Sequence, residues 1–272
     1  MRIVGLALLG LALAAVLAVG LVLALQRRLL YFPSRTPEPV AIAAASRFGL
    51  TAWRGSAGDL LGWRAPSAPA VPIAALVLHG NAGTALDRAY YVDALTRQGV
   101  EVVLLEYPGY GPRAGVPTLA SLTMAALEAV RALAAEGKAV WLVGESLGSG
   151  VAARCAAERP DLVRGLLLIT PFADLAAVAR HHFPFLPGFL LRDRYRPARD
   201  LGGYQGPVVI LVAGLDEVVT AAEGRRLFDA LAGPKKLVEL PEAKHNGLDH
   251  SPRLPFWKEA VEFLRQRGEP SP

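Results

Sequence analysis

The chain has 272 residues, of which 53% are hydrophobic and 19% are charged, and its formal net charge is +5. This length allows one large domain with a buried core, and this composition excludes an intrinsically disordered chain. The single cysteine, Cys155, excludes an intramolecular disulfide and a cysteine-based zinc cluster.

The first 25 residues carry much of the apolar excess. Residues 3–25 contain no charge and no hydrogen-bonding side chain, and a spanning helix needs about 20 such residues. The run is too long for the apolar core of a cleaved signal peptide, about 7–15 residues, and it lacks the polar face of a surface helix. We therefore predict an uncleaved membrane anchor over residues 1–28 and a second, globular unit over residues 29–272.

The basic residues beside the predicted anchor are few. Arg2 and the α-amine precede the apolar run, while Arg27, Arg28 and Arg35 follow it, a difference of about one charge that favours a cytoplasmic body but leaves the membrane side open. We expect Arg27 and Arg28 to rest against lipid headgroups. Without Arg2 and this pair, residues 29–272 carry a net charge of only +2 and no long basic run, so no nucleic-acid partner is expected.

Beyond a proline-containing connector at residues 29–39, apolar stretches of strand length alternate with longer amphipathic stretches. The predicted strands are residues 74–78, 100–106, 138–143, 166–169, 208–212 and 237–240, and the predicted helices are residues 85–98, 119–136, 151–159 and 256–267. This alternation predicts an α/β fold with a mostly parallel sheet that helices cover on both faces. Residues 171–206 interrupt the rhythm and are rich in aromatic residues, proline and arginine, so we predict a cap over the functional site.

The most specific motif is Gly144-Glu145-Ser146-Leu147-Gly148. A bare G-x-S-x-G pattern is weak, but this one follows a predicted strand and precedes a helix-compatible stretch, as a nucleophile elbow requires. Glycines suit this position because a sharp, strained turn around the serine leaves little room for side chains two residues away. The alternative is a glycine-rich helix start with Ser146 as its cap. We predict Ser146 as a nucleophile.

A nucleophilic serine needs a base and an acid that orients the base, and in this kind of fold they follow it in the order acid, then histidine. Asp216 follows the predicted strand at 208–212, and Glu217 beside it is the alternative. Among the five histidines, only His245 and His250 follow the last predicted strand. We predict Asp216 as the acid and His245 as the base, with His250 as the alternative base.

The sequence His79-Gly80-Asn81-Ala82-Gly83 follows the first predicted strand. His79 has the wrong chain position for a base, so we expect it to brace its loop through hydrogen bonds. The backbone N–H groups of Asn81 and Leu147 are predicted to form an oxyanion hole, in which the loss of one donor typically costs about 2.7–4 kcal/mol of transition-state stabilisation. No cofactor and no metal is expected.

These motifs together resemble the membrane-anchored α/β-hydrolases called alpha/beta hydrolase domain-containing proteins. The resemblance rests on QRRLLYFP at residues 26–33, HGNAG at 79–83, YPGYG at 107–111, GESLG at 144–148, TPF at 170–172, LRDRY at 191–195, Asp216 and the pair His245-Asn246. It implies an eight-stranded, mostly parallel sheet and a Ser-Asp-His hydrolase that acts on acyl compounds. The sequence departs from the group's usual pattern at Pro112-Arg113, where a serine is usual, and at Gly247, where an aspartate is common.

The expected activity is cleavage of a carboxylic ester through an acyl-enzyme on Ser146. The predicted anchor and the aromatic residues of the predicted cap favour a small-molecule or lipid acyl substrate; these residues are Phe183, Phe185, Phe189 and Tyr195. A thioesterase and a serine peptidase would use the same triad and remain open. A non-catalytic, membrane-tethered interaction protein is the alternative from another class.

Overall fold

An eight-stranded sheet forms the centre of the protein. Its strands in chain order are β1 (Thr51–Arg54), β2 (Leu60–Arg64), β3 (Ile73–Leu78), β4 (Glu101–Leu105), β5 (Ala139–Glu145), β6 (Val163–Ile169), β7 (Val208–Ala213) and β8 (Lys235–Leu240). Across the sheet they lie in the order β8-β7-β6-β5-β3-β4-β2-β1. The strands from β8 to β4 pair in parallel, and β2 is antiparallel to both of its neighbours. The prediction of an α/β fold with a mostly parallel, eight-stranded sheet is confirmed.

The structure is a computed structural model that describes residues 2–66, 71–184 and 187–268. The helices within these ranges are α1 (Arg2–Leu30), α2 (Glu38–Arg47), α3 (Tyr90–Thr96), α4 (Leu119–Ala135), α5 (Leu147–Glu158), α6 (Leu175–His182), α7 (Pro197–Asp200), α8 (Ala221–Ala230) and α9 (Pro255–Gly268). Three short 3₁₀ segments accompany them, at Ala85–Arg88, Gly188–Leu190 and Leu201–Gly203.

The hydrophobic core has two parts because successive side chains of a strand point to opposite faces of the sheet. On β3, Leu76 and Leu78 belong to the cluster that packs under α4, α5 and α8. Ala75 and Val77 belong to the cluster that packs under α2, α3 and α9. Strands buried on both faces explain the continuous apolar runs from which they were predicted.

Several elements differ from the sequence prediction. The predicted connector at residues 29–39 contains the end of α1, a short parallel pairing of Phe32–Pro33 with Ala82–Gly83, and the start of α2. Strands β1 and β2 were not predicted, because β1 is only four residues long and β2 is interrupted by Gly62. A Cβ at Gly62 would lie 2.1 Å from the carbonyl oxygen of Leu104, so glycine is required where β2 pairs with β4.

Within the described part of the chain, no helix is both long enough and apolar enough to span a membrane. The predicted anchor falls partly on side chains outside that part, namely those of residues 1–8, 11, 12, 14, 15 and 18. The anchor over residues 1–28 is therefore not supported by the structure and stays a prediction.

Candidate active site

Ser146 lies on a sharp turn between β5 and α5. Its backbone has φ +50° and ψ −115°, a conformation that non-glycine residues rarely adopt. The turn is fixed by hydrogen bonds, since the Ser146 N–H donates to the carbonyl of Ile169 and the Ser149 N–H donates to the carbonyl of Ser146. Helix α5 begins at Leu147, four residues earlier than predicted, so the serine immediately precedes the helix N-terminus.

The glycines of the motif are required by the close approach of neighbouring backbone. A Cβ at Gly148 would lie 2.0 Å from the carbonyl oxygen of Leu78, and one at Gly144 would lie 2.7 Å from the Cα of Ser149. Neither contact can be relieved by rotating a side chain, because both partners are main-chain atoms. The predicted elbow is therefore present, and the alternative of a helix start capped by Ser146 is not, since the Ser146 side chain makes no cap hydrogen bond.

The three predicted triad side chains lie together at the carboxyl edge of the sheet. The Ser146 Oγ is 3.0 Å from the His245 Nε2, and the His245 Nδ1 is 2.6 Å from the Asp216 Oδ2. The other carboxylate oxygen of Asp216 accepts the backbone N–H groups of Val218 and Val219, at 2.8 and 2.7 Å. Asp216 is thus held by its own loop while it orients the imidazole.

The alternative acid and the alternative base lie elsewhere. Glu217 points outward, with its side chain 74% exposed and paired with the Lys244 ammonium. His250 stacks on Tyr90, with ring centroids 3.9 Å apart, and burial lowers the pKa of its imidazole. The choice of Asp216 and His245 over these neighbours therefore agrees with the geometry.

Asn81 and Leu147, the two predicted oxyanion-hole residues, both line the cavity that contains Ser146. The Asn81 loop is firmly held, because its carbonyl oxygen accepts the Phe32 N–H and the Tyr110 hydroxyl, at 2.8 and 2.7 Å. The Asn81 side-chain amide donates to the carbonyl of Leu30. Leu147 is the first residue of α5, where backbone N–H groups have no acceptor within the helix and carry the positive end of its dipole.

His79 occupies the buried centre of its loop, as expected of a bracing residue. Its Nδ1 donates to the carbonyl of Gly80 at 2.8 Å, and its ring packs against Tyr107 with centroids 4.1 Å apart. Burial, followed by the nearby Arg88 charge, lowers the pKa of His79 to about 3, so the ring is neutral. Its Nε2 has no hydrogen-bond partner in the described part of the chain and lies 3.9 Å from the Glu106 carboxyl group.

A largely buried ionic cluster lies next to the elbow, and no sequence pattern predicted it. The Glu145 carboxylate accepts hydrogen bonds from Arg88, at 2.8 and 3.1 Å, and from the hydroxyl groups of Tyr90 and Tyr91, at 2.7 and 2.9 Å. Burial raises the pKa of Glu145, but the Arg88 charge and these donors outweigh it and hold the pKa below its ordinary value. The cluster ties the elbow strand to the segment that follows the HGNAG loop.

A cavity of about 670 Å³ opens beside Ser146 and has a predominantly apolar lining. Part of this lining comes from the predicted cap, residues 171–206, in which α6 begins at an Asp174 cap. The cap residues in the lining are Phe172, Leu175, Val178, Ala179, His182, Phe183, Pro184, Leu191 and Asp193. The His182 Nε2 donates to the carbonyl of Val218, which joins the cap to the loop of Asp216.

The four aromatic residues named for the cap have different positions. Phe183 lines the cavity, whereas Phe189 is 72% exposed and Phe185 lies outside the described residues. Tyr195 is fully buried, and its hydroxyl is 2.9 Å from that of Tyr31. Of these four residues, Phe183 is the one described in the lining, where it supports the expectation that cap aromatics form the substrate site.

The end of α1 also lines the cavity, which the sequence did not predict. Val22, Gln26, Arg27, Leu29 and Leu30 contribute to the wall beside the cap. Arg27, expected at lipid headgroups, instead donates its Nε to Asp193 at 2.9 Å. Such contacts cross more than 160 residues of sequence, so no local pattern could have revealed them.

Among the described residues, no group of three or more His, Cys, Asp or Glu could hold a metal ion.

Comparison with known proteins relates this geometry to other chains. The sequence model of the alpha/beta hydrolase family matches residues 75–255. Rv2307c of Mycobacterium tuberculosis is 36% identical over 250 residues, which cover 86% of this chain and 86% of that protein. The lysophosphatidylserine lipase ABHD12 of Danio rerio is 30% identical over 211 residues, which cover 66% of this chain and 55% of that protein. The Pyrococcus furiosus esterase Pf2001 shares the fold, with a TM-score of 0.69 and 15% identity over 88% of this chain and 99% of that one.

Proposed function

Because the chain belongs to the alpha/beta hydrolase family, we propose that it is a serine hydrolase that cleaves carboxylic esters through an acyl-enzyme on Ser146. The observation that carries the proposal is the pair of contacts that joins Ser146 to His245 at 3.0 Å and His245 to Asp216 at 2.6 Å. A serine hydroxyl within hydrogen-bond reach of an oriented imidazole is the arrangement that activates the nucleophile.

The proposed reaction has two steps on the same residues. The Ser146 Oγ attacks the acyl carbon, its proton passes to the His245 Nε2, and His245 then gives that proton to the leaving alcohol. Water attacks the acyl-enzyme next, loses a proton to His245 and releases the carboxylic acid, after which Ser146 recovers its proton. Asp216 holds the imidazole in the tautomer with a proton on Nδ1, and the N–H groups of Asn81 and Leu147 stabilise the oxyanion.

A lipid acyl chain is the substrate that the cavity suits best. Its lining is mostly apolar, with a few polar groups near Ser146, which fits an ester with a long hydrocarbon chain and a small polar end. The zebrafish relative is named a lysophosphatidylserine lipase, which agrees with a lipid ester. A thioester and a peptide use the same chemistry and are the competing substrates.

The first experiment is labelling with a fluorophosphonate, which reacts only with an activated serine. Full-length wild type should be labelled and should hydrolyse p-nitrophenyl esters, while Ser146→Ala and His245→Ala should do neither. Ser46→Ala is the matched control, because Ser46 is exposed on α2 and its hydroxyl donates to the Ala43 carbonyl of the same helix. A folded wild type that takes no label would refute the proposal and favour an interaction protein.

We also propose that residues 1–28 anchor the protein to a membrane, with the membrane lipids as a partner. The support is the uncharged run at residues 3–25. Charges at the centre of a spanning helix cost about 2.5–3.5 kcal/mol each. Leu13→Arg combined with Leu17→Arg should therefore release the protein from membranes washed with alkaline carbonate. Met124→Arg, at an exposed position on α4, is the control and should stay bound; equal release of wild type would exclude the anchor.

A further inference from the structure

One face of the last turns of α1 forms a wall of the cavity beside Ser146. Val22, Gln26, Leu29 and Leu30 stand at positions i, i+4, i+7 and i+8, a spacing that places side chains on the same side of a helix. Leu21, next to Val22, is 59% exposed and does not line the cavity. The wall is therefore a defined stripe of α1 and not a general property of its apolar surface.

The side chains of Gln26 and Arg27 attach this stripe to the cap, and Gln26 makes the first attachment. The Gln26 amide nitrogen donates to the carbonyl of Leu190 at 3.3 Å, and its amide oxygen accepts the Arg192 N–H at 2.6 Å. Gln26 thus bonds main-chain groups on both sides of Leu191, another residue of the cavity wall. This two-sided contact fixes where Leu191 stands relative to Ser146.

Arg27 makes the second attachment. Its Nε and Nη2 donate to the two oxygens of Asp193, at 2.9 and 3.4 Å. Asp193 is buried and also accepts the N–H of Leu119 at the start of α4, so one carboxylate joins α1, the cap and the body of the protein. Removing Arg27 takes the cationic partner away from a buried carboxylate, and the cap segment must shift to hydrate it.

The loop of Asn81, which also lines the cavity, contacts the end of α1 as well. The carbonyl of Leu30 accepts the side-chain amide of Asn81, whose backbone N–H is one of the proposed oxyanion donors. The Tyr31 hydroxyl is 2.9 Å from the hydroxyl of Tyr195, which lies in the cap two residues after Asp193. The end of α1 and the residue after it thus contact both the Asn81 loop and the cap.

We propose that the cavity-facing stripe of α1 is part of the acyl-chain site and that Gln26 and Arg27 are positioning residues that hold cap residues 190–193 over it. The chain-length preference of the enzyme is then set by the N-terminal helix together with the cap. The substrate class is an ester with an unbranched apolar acyl chain that lies against Val22 and Leu29. This inference rests on the proposed esterase function.

The test uses full-length protein in detergent and p-nitrophenyl esters from two to sixteen carbons. Val22→Phe fills the wall and should lower the ratio of kcat/KM for esters of twelve or more carbons to kcat/KM for the acetate at least tenfold. Leu21→Phe adds the same side chain one residue away, outside the cavity, and is the matched control. A chain-length profile of Val22→Phe that equals that of wild type would overturn the proposal.

Arg27→Ala tests the attachment, and Arg28→Ala is its control because both remove one positive charge from adjacent positions. Arg28 is exposed and makes no ion pair with the described residues. Arg27→Ala should raise KM for long-chain esters five- to tenfold with kcat nearly unchanged, and Arg27→Lys should recover part of the loss. Equal effects of the two alanine variants would show headgroup attraction instead of cap positioning, and would overturn the proposal.

Fluorophosphonate labelling of each variant separates this inference from the proposed function. If wild type and Arg27→Ala take the label equally, the serine is active and the KM values decide the role of α1. If wild type takes no label, the esterase proposal fails, and binding of a fluorescent dodecanoic acid then tests the wall alone. Val22→Phe should weaken that binding at least tenfold relative to Leu21→Phe, and equal binding would overturn the inference.

Discussion

Asp216 divides its two carboxylate oxygens between the imidazole and its own loop. One oxygen accepts the His245 Nδ1–H, and the other accepts the N–H groups of Val218 and Val219. All three contacts are made by donors, so the site requires a group that only accepts hydrogen bonds. An aspartate satisfies this requirement, and an asparagine of the same size does not.

Asp216→Asn should therefore lower kcat by about 10³- to 10⁴-fold, because the amide would turn its NH₂ group towards either the imidazole or the loop and favour the wrong tautomer of His245. Steady-state hydrolysis of a short p-nitrophenyl ester measures the effect. Glu217→Gln, one residue further along and exposed, is the control and should retain wild-type kcat. A loss of less than tenfold in Asp216→Asn would contradict the assigned role.

Glu106 is a buried carboxyl group whose protonation links stability to pH. Burial raises its pKa to about 7 from the ordinary value of 4.5, although the Ala85 N–H and the Trp63 indole N–H partly offset this. Between these two pH values the folded protein holds a proton that the unfolded chain has released. The contribution of Glu106 to the free energy of unfolding is therefore greatest below about pH 4.5 and falls as the pH rises through 7.

Replacing Glu106 by Gln should remove this slope. Because a pKa difference of one corresponds to about 1.4 kcal/mol, the free energy of unfolding of wild type should fall by on the order of 3 kcal/mol between pH 4.5 and pH 8 through Glu106 alone. His79 has the opposite effect on stability: its pKa is lowered to about 3, so its contribution to the free energy of unfolding falls as the pH drops below 6.5. Both proteins contain His79, so the contribution of Glu106 is the difference in free energy of unfolding between wild type and Glu106→Gln at each pH. Denaturant unfolding at pH 5 and pH 8 measures that difference, with Glu262→Gln as an exposed control. Parallel pH profiles of wild type and Glu106→Gln would contradict the prediction.

At the scale of elements, the turn from β5 to α5 brings Ser146 to the edge of the sheet. Strand β5 lies at the centre, between β3 and β6, and α5 packs back against the same strands. The helix must pass close to the end of β3, where a Cβ at position 148 would meet the carbonyl oxygens of Leu78 and His79 at 2.0 and 2.7 Å. Close packing of helix on strand is the reason for glycine here.

Gly148→Ala should destabilise the protein by about 3 kcal/mol, since overpacking against two main-chain atoms can be relieved only by shifting α5. Thermal unfolding should show a Tm lower by roughly 6–12 °C, and the shift of α5 should also slow fluorophosphonate labelling. Gly202→Ala is the control, because a Cβ there has open space and its φ is not positive. An unchanged Tm in Gly148→Ala would mean that the elbow is looser than the geometry indicates.

At the scale of the whole molecule, the cavity is bounded by parts of the chain that are far apart in sequence. The carboxyl edge of the parallel strands supplies Ser146 and Asp216, the insertion between β6 and β7 supplies one wall, and the end of α1 supplies another. The Glu145 cluster lies on the opposite side of the elbow and connects it to the segment after the HGNAG loop. The site is thus assembled by the fold and is not carried by a single segment.

The sequence by itself determined the central strands and singled out Ser146, Asp216 and His245, three side chains that the structure brings together. Continuous apolar runs and glycine-rich turns are local signals, and the order of the chain excludes most other acids and histidines. It did not reveal β1, a four-residue strand at the edge of the sheet, or β2 beside it, which Gly62 interrupts.

The tertiary structure alone decided which polar side chains work together. Glu145 and Arg88 form a buried pair, and Arg27 joins Asp193, although nothing in the residues around any of them distinguishes these charges from solvated ones. The physical reason is that burial and pairing of a charge depend on contacts between segments distant in sequence, whereas a strand or an elbow depends on neighbours along the chain. The three side chains of the candidate triad could therefore be singled out from motifs, but the shape of the cavity beside them could not.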